Sequence, residues 1–180
     1  MRVAAVAQRV RRREIVPAVA LALAAATFVL QGHDANAAAW AGVQVVLVAI
    51  AAIDAATRRI PNIVTLGTAT GAVILRLLLV RGSLAETFAA GAICFAVFLL
   101  LAVLSRGAFG MGDVKLAGLL GLLLGKDVVG ALLLGTLCGA AAALIAARRA
   151  GSLKATLAYG PYLCLGAAVV ILVTSPPALA

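Results

Sequence analysis

Acid is scarce in this chain: six of its 180 residues are aspartate or glutamate, against fifteen lysines and arginines. Histidine is scarcer still, with His33 alone, and there are three cysteines and one tryptophan. Each scarcity excludes something. Charged residues at 12% beside apolar residues at 65% leave too few polar groups to cover a soluble globule. One histidine cannot build a histidine-based metal centre, and Ser105 and Ser152 have no histidine on their side of the chain to activate them, which argues against a serine nucleophile. Cys94, Cys138 and Cys164 stand alone in apolar stretches, with no C-x-x-C pair to hold zinc or exchange disulfides, and read as small buried hydrophobes. No cofactor and no metal are expected.

What the chain does have is long apolar runs, at 15–31, 38–56, 63–80, 84–104, 114–125, 128–147 and 156–173. Runs of about 20 residues match the thickness of a bilayer when coiled as helices. The expected fold is all-α, a polytopic transmembrane helix bundle of about seven helices, with the lipid bilayer as its solvent. The net charge of +9 would suggest nucleic acid in a soluble protein, but here the basic residues cluster between apolar runs, a topology signal, and no nucleic acid partner is expected. With a cytoplasmic amino terminus, Arg2, Arg9, Arg11, Arg12, Arg13, Arg58, Arg59, Arg106, Lys115, Arg148, Arg149 and Lys154 all fall on the cytoplasmic side. Only Arg81 and Lys126 lie in outer loops, with Arg76 near the outer end of the third run.

Residues 1–37 read as a basic amino terminus and an extra membrane helix, and residues 38–180 as the main membrane domain. The first run also has the three parts of a signal peptide, a basic stretch, an apolar run and Ala35-Asn36-Ala37. In either case the second run starts outside and ends inside. The fifth run is short: about 12 residues reach about 18 Å, less than the roughly 30 Å hydrocarbon core. Its glycine-rich approach at 107–112 is therefore expected within the depth of the membrane, at a water-filled cavity.

Four of the six carboxylates have ordinary explanations. Glu14 sits among arginines, Asp34 lies in the polar loop after the first run, Glu86 completes a capping box with Ser83, and Asp127 stands as an N-cap before the sixth run. Asp54 and Asp113 remain, each at a membrane-embedded position on the cytoplasmic side. An acid kept in such a place marks a function by default. Two acids sharing one proton can hydrolyse a peptide bond, one activating water and the other protonating the carbonyl oxygen. Asp54 ends a helix and Asp113 begins one, and the helix dipoles make Asp54 the expected protonated partner. A proton-coupled transporter using both acids as a relay is the rival reading, although relay acids usually lie near the midplane.

Three segments carry a resemblance. Asp54-Ala55-Ala56-Thr57-Arg58-Arg59-Ile60-Pro61-Asn62, Gly110-Met111-Gly112-Asp113-Val114-Lys115-Leu116 and Tyr159-Gly160-Pro161-Tyr162-Leu163 resemble, in order, the signature segments of the prepilin peptidases, the GxGD membrane aspartic proteases. The resemblance runs from about residue 38 to the carboxyl terminus. It implies a six-helix peptidase core with one helix added at the amino terminus, in the bacterial inner membrane. It implies Asp54 and Asp113 as the catalytic pair, and prepilin or pseudopilin precursors as substrates, cut on the cytoplasmic side of their apolar helix. The compact form is similar to the peptidases of Flp or Tad pilus systems. Bifunctional members carry a region with paired cysteines and also methylate the product; the chain shows no such region, so methylation is not expected.

Around these acids, Gly110 and Gly112 leave room for a substrate backbone near Asp113, and Pro61 is expected to end the helix bearing Asp54. Arg58 and Arg59 read as headgroup anchors, with a substrate carboxylate as the alternative. Lys115 either tunes Asp113 or marks the membrane boundary. Asn62 and Tyr159 belong to the motif segments, and Gly160-Pro161 reads as a helix kink. The pairs Gly67/Gly71, Gly121/Gly125 and Gly135/Gly139 have the spacing of close helix packing.

Overall fold

The computed structural model describes residues 2–32, 34–60, 62–79, 84–105, 110–150 and 158–174. They form seven α-helices: α1 (Arg2–Gln31), α2 (Ala35–Thr57), α3 (Asn62–Leu79), α4 (Leu84–Leu104), α5 (Met111–Leu124), α6 (Val128–Ala150) and α7 (Gly160–Thr174). A single 3-10 turn, Gly125–Asp127, joins α5 to α6, and there is no strand among the described residues.

Local chemistry explains where the helices begin and end. Asp34 has extended backbone and its carboxylate accepts from the Ala37 amide at 2.8 Å, so it caps α2 and Ala35-Asn36-Ala37 becomes the first turn. The other end of α2 departs from expectation. It stops at Thr57 because Arg58 takes a left-handed conformation (φ 54°) and returns its N–H to the Asp54 carbonyl at 2.7 Å. The stop is a backbone reversal three positions before Pro61, which itself lies outside the described residues.

The reading of Gly160-Pro161 as a kink is also corrected. The two residues open α7, where a proline without an N–H costs nothing because the first-turn donors have no helical partner. The fifth helix is short as expected, 14 residues or about 21 Å. Asp127 closes the 3-10 turn immediately before α6, while Ser83, the other half of the capping box drawn for Glu86, lies outside the described residues.

The bundle is organised around α5. Val114, Leu116, Ala117, Leu120 and Leu124 are fully buried on it, and α3, α4 and α7 all pack against it. The outside is as apolar as the inside: Leu21, Val29, Ile93, Val103, Leu137 and Val173 are all exposed. Such a surface is stable in lipid and not in water. Among the described residues, three stretches are long and apolar enough to cross a membrane, α2, α4 and the run Met111–Arg149 spanning α5 and α6.

Glycines set the closest helix contacts. A Cβ on Gly121 would lie 2.6 Å from the Ala90 carbonyl oxygen, and one on Gly135 would lie 2.8 Å from that of Tyr162, so α4 meets α5 and α6 meets α7 backbone to backbone. Gly166 packs as tightly against Ala131 and Gly135. Gly139 lies beneath the Tyr159 ring, and Gly125 is needed for its positive φ of 58° at the end of α5. The pair Gly67/Gly71 does not behave as its spacing suggested. Nothing lies within 4 Å of a Cβ on either, because α3 stands off from α2 and the glycines line an open groove between them.

The first helix is tied into the bundle by polar contacts. The buried Gln44 amide of α2 donates to the Ala168 carbonyl of α7 at 3.1 Å and to the Thr27 hydroxyl of α1 at 3.3 Å. Thr27 in turn donates to the Leu23 carbonyl at 2.8 Å, and the Gln31 amide donates to the Ile171 carbonyl. Hydrogen bonds of this kind hold helices together where lipid offers no alternative partner.

Candidate active site

Four helix ends meet at one end of the bundle: the last turn of α2 and the first turns of α3, α5 and α7. Asp54 arrives on α2, only 5% exposed. Asp113 is the third residue of α5, its amide bonded to the Gly110 carbonyl at 3.0 Å. The two acids, 59 positions apart in sequence, line one cavity of about 350 Å³.

The cavity brings together most of the residues singled out in the sequence. Asp54, Arg58, Arg59, Asn62, Gly110, Gly112, Asp113 and Lys115 all contribute to its wall. Basic groups therefore face the same space as the acids, a polar pocket enclosed by apolar helices. Gly160, the first residue of α7, reaches the site through Asp54, and Tyr159 directly precedes it. The Gly160 amide donates to Asp54 Oδ2 at 3.1 Å, and the Tyr159 hydroxyl lies 3.4 Å from the Thr136 carbonyl, bracing the start of α7 against α6. Pro161 points elsewhere, into a cavity lined also by Val19 of α1 and Leu47 of α2.

Gly160 is the most constrained position of the site. A Cβ there would stand 2.6 Å from Asp54 Oδ2 and 3.1 Å from its Cγ, so any side chain would drive the carboxylate from its place. A third helix terminus, that of α7, is also aimed at Asp54, through the Gly160 amide.

Two readings are refined. Gly112 does more than clear a path to Asp113: a Cβ on it would lie 3.2 Å from the Ile60 Cβ, so the glycine lets α5 close onto the loop after α2. Gly110 keeps the open character expected of it, with a Cβ site 3.6 Å from Asp113 Oδ2. Lys115 makes a contact beyond the two roles drawn for it. Its ammonium donates to Asn62 Oδ1 at 2.8 Å, joining α5 to the start of α3.

Ile60 was missed as a site residue. It lines the cavity and fills the angle between Gly112 and Gly160, coming within 3.2 Å of a Cβ at either. Its sequence signal was a lone large apolar residue between two arginines and a proline, where a solvated loop would be polar.

Comparison with known proteins returns one family. No curated protein and no solved structure matches the chain. The family model of type IV leader peptidases matches residues 40–145, from the first turns of α2 into α6, and so includes both aspartates and the Gly110–Asp113 approach. It ends before Tyr159-Gly160-Pro161, the third segment of resemblance. More than half the chain is covered, both acids fall inside it, and three stretches among the described residues are long and apolar enough to cross a membrane: the chain is a membrane protein that belongs to the type IV leader peptidase family.

Proposed function

We propose that this protein is an aspartic endopeptidase that removes the basic leader from prepilin or pseudopilin precursors, with Asp54 and Asp113 as its catalytic pair. Support comes above all from the meeting of these two acids, distant in sequence, in one cavity at the end of the bundle. Keeping both acids at that depth is costly. One carboxylate takes a proton from a water whose oxygen attacks the scissile carbonyl carbon, while the other carboxyl gives its proton to the carbonyl oxygen. Collapse of the tetrahedral intermediate breaks the C–N bond, and the departing amine receives a proton from the pair.

Gly160 holds Asp54 from behind, and Gly110 leaves an open approach to Asp113. The basic-residue asymmetry supports a cytoplasmic position for this end of the bundle, and the resemblance supports the bacterial inner membrane, with residues 1–37 as an added helix on a peptidase core at 38–180. A Flp or Tad type of pilus system is the setting that the resemblance favours.

The test is direct. Purified protein in liposomes is expected to cut a precursor bearing a basic leader and an apolar helix without ATP, metal or proton gradient, and chelators should have no effect. Amino-terminal sequencing of the product locates the bond. Displacing the junction several residues into the apolar segment should protect it. Cleavage that depended on a membrane potential, or that ignored the displacement, would overturn the proposal in favour of a transporter or a contaminating protease.

A further inference from the structure

The helix bearing Asp54 and the helix bearing Gly160 are pinned to each other at two levels. At the acid site the Gly160 amide donates to Asp54, and deeper in the bundle the Gln44 side chain of α2 donates to the Ala168 carbonyl of α7 at 3.1 Å. The two contacts stand about 15 Å apart along α2 and about 12 Å apart along α7. Between them the helices fit loosely: a cavity of about 170 Å³ is lined by Leu47, Val48 and Ala51 of α2 and by Pro161, Cys164 and Ala168 of α7. Apolar surfaces with such slack have no single preferred register, because their attraction carries no direction. Glycines lock α7 against α6, but α6 carries neither acid, so that packing does not decide where the Gly160 amide meets Asp54. A slip of α7 by one residue would turn its first amide about 100° away from the carboxylate.

Gln44 is a costly residue for its place. It is fully buried, and its Oε1 has no hydrogen-bond partner among the described residues. A methionine would fill nearly the same volume without that cost. What the glutamine adds is a directed donor, aimed at Ala168 of α7 and at Thr27 of α1. One polar side chain in an apolar helix interface can select a single register. The amide also stays uncharged, whereas Asp54 gains and loses a proton in the proposed cycle, so the Gly160 contact changes strength during turnover and the Gln44 contact does not.

We propose that Gln44 is a positioning residue of the acid site: it fixes the register of α7 on α2 and thereby keeps the Gly160 amide on Asp54. The inference rests on the aspartic-peptidase reading and extends that site to a residue outside its cavity.

Kinetics of precursor cleavage in liposomes test it. Gln44→Met is expected to lower kcat about tenfold with KM nearly unchanged, because the residue acts on a reacting group and touches no substrate. In a Gly160→Ala background the same substitution should lower kcat no further, since the contact it protects is already lost. Thr27→Val, which removes the α1 partner of the Gln44 amide and leaves the bond to α7, should keep kcat. Gln44→Leu is the second apolar variant, should Gln44→Met fail to fold. An unchanged kcat in a folded variant, a loss just as large in the Gly160→Ala background, an equal loss in Thr27→Val, or failure of both apolar variants to fold would each overturn the positioning role while the unaltered protein still cut its precursor. No cleavage by the unaltered protein would overturn the peptidase reading itself, and this role with it.

Discussion

Asp54 and Gly160 are joined by a hydrogen bond of 3.1 Å across 106 positions of sequence, the amide at the start of α7 donating to the carboxylate at the end of α2. The contact is possible because residue 160 lacks a side chain. Gly160→Ala is expected to displace the carboxylate and lower precursor cleavage about a hundredfold, the scale for misplacing a reacting group by about 1 Å. Gly130→Ala is the control, since a Cβ there meets Val170 at an ordinary 3.7 Å. Cleavage by Gly160→Ala at the rate of the Gly130→Ala protein would remove Gly160 from the site.

Replacing either acid by its amide preserves shape and removes the proton. Asp54→Asn and Asp113→Asn should each reduce cleavage by about 10²–10⁴-fold with the protein still inserted and folded. Asp34→Asn and Asp127→Asn should retain activity: asparagine can still accept from the Ala37 amide as an N-cap, and Asp127 lies in the turn between α5 and α6. Rates from a time course of precursor cleavage decide the matter.

Two glycines of similar sequence context should behave in opposite ways. Gly121→Ala pushes a methyl group against the α4 backbone and is expected to cost about 1–3 kcal/mol. Gly67→Ala meets nothing within 4 Å and should change stability by less than about 0.5 kcal/mol. Thermal unfolding in detergent measures both.

Lys115 and Asn62 should couple. Their side chains bond at 2.8 Å and join α5 to α3, so a double-mutant cycle of Lys115→Met and Asn62→Ala is expected to give an interaction of about 0.5–1.5 kcal/mol in unfolding measurements. Additive effects of the two substitutions would show that the bond contributes nothing to holding α3 in place.

Much was legible without coordinates, and for local reasons. Apolar runs of bilayer length determine membrane class and helix number because lipid demands a continuous apolar segment with its backbone satisfied internally. Asp54 and Asp113 stood out because acid is costly at such positions and the other four carboxylates had nearer explanations. Tertiary structure alone decided what lay beyond local rules. The amide behind Asp54 comes from a helix 106 positions away, Ile60 gains its place only when the starts of α5 and α7 close around it, and Lys115 finds Asn62 only through the packing of α3. Gly67/Gly71 and Gly121 look alike in sequence, yet one pair faces a groove and the other glycine touches backbone, since spacing places a residue on a helix face but cannot say which helix arrives there.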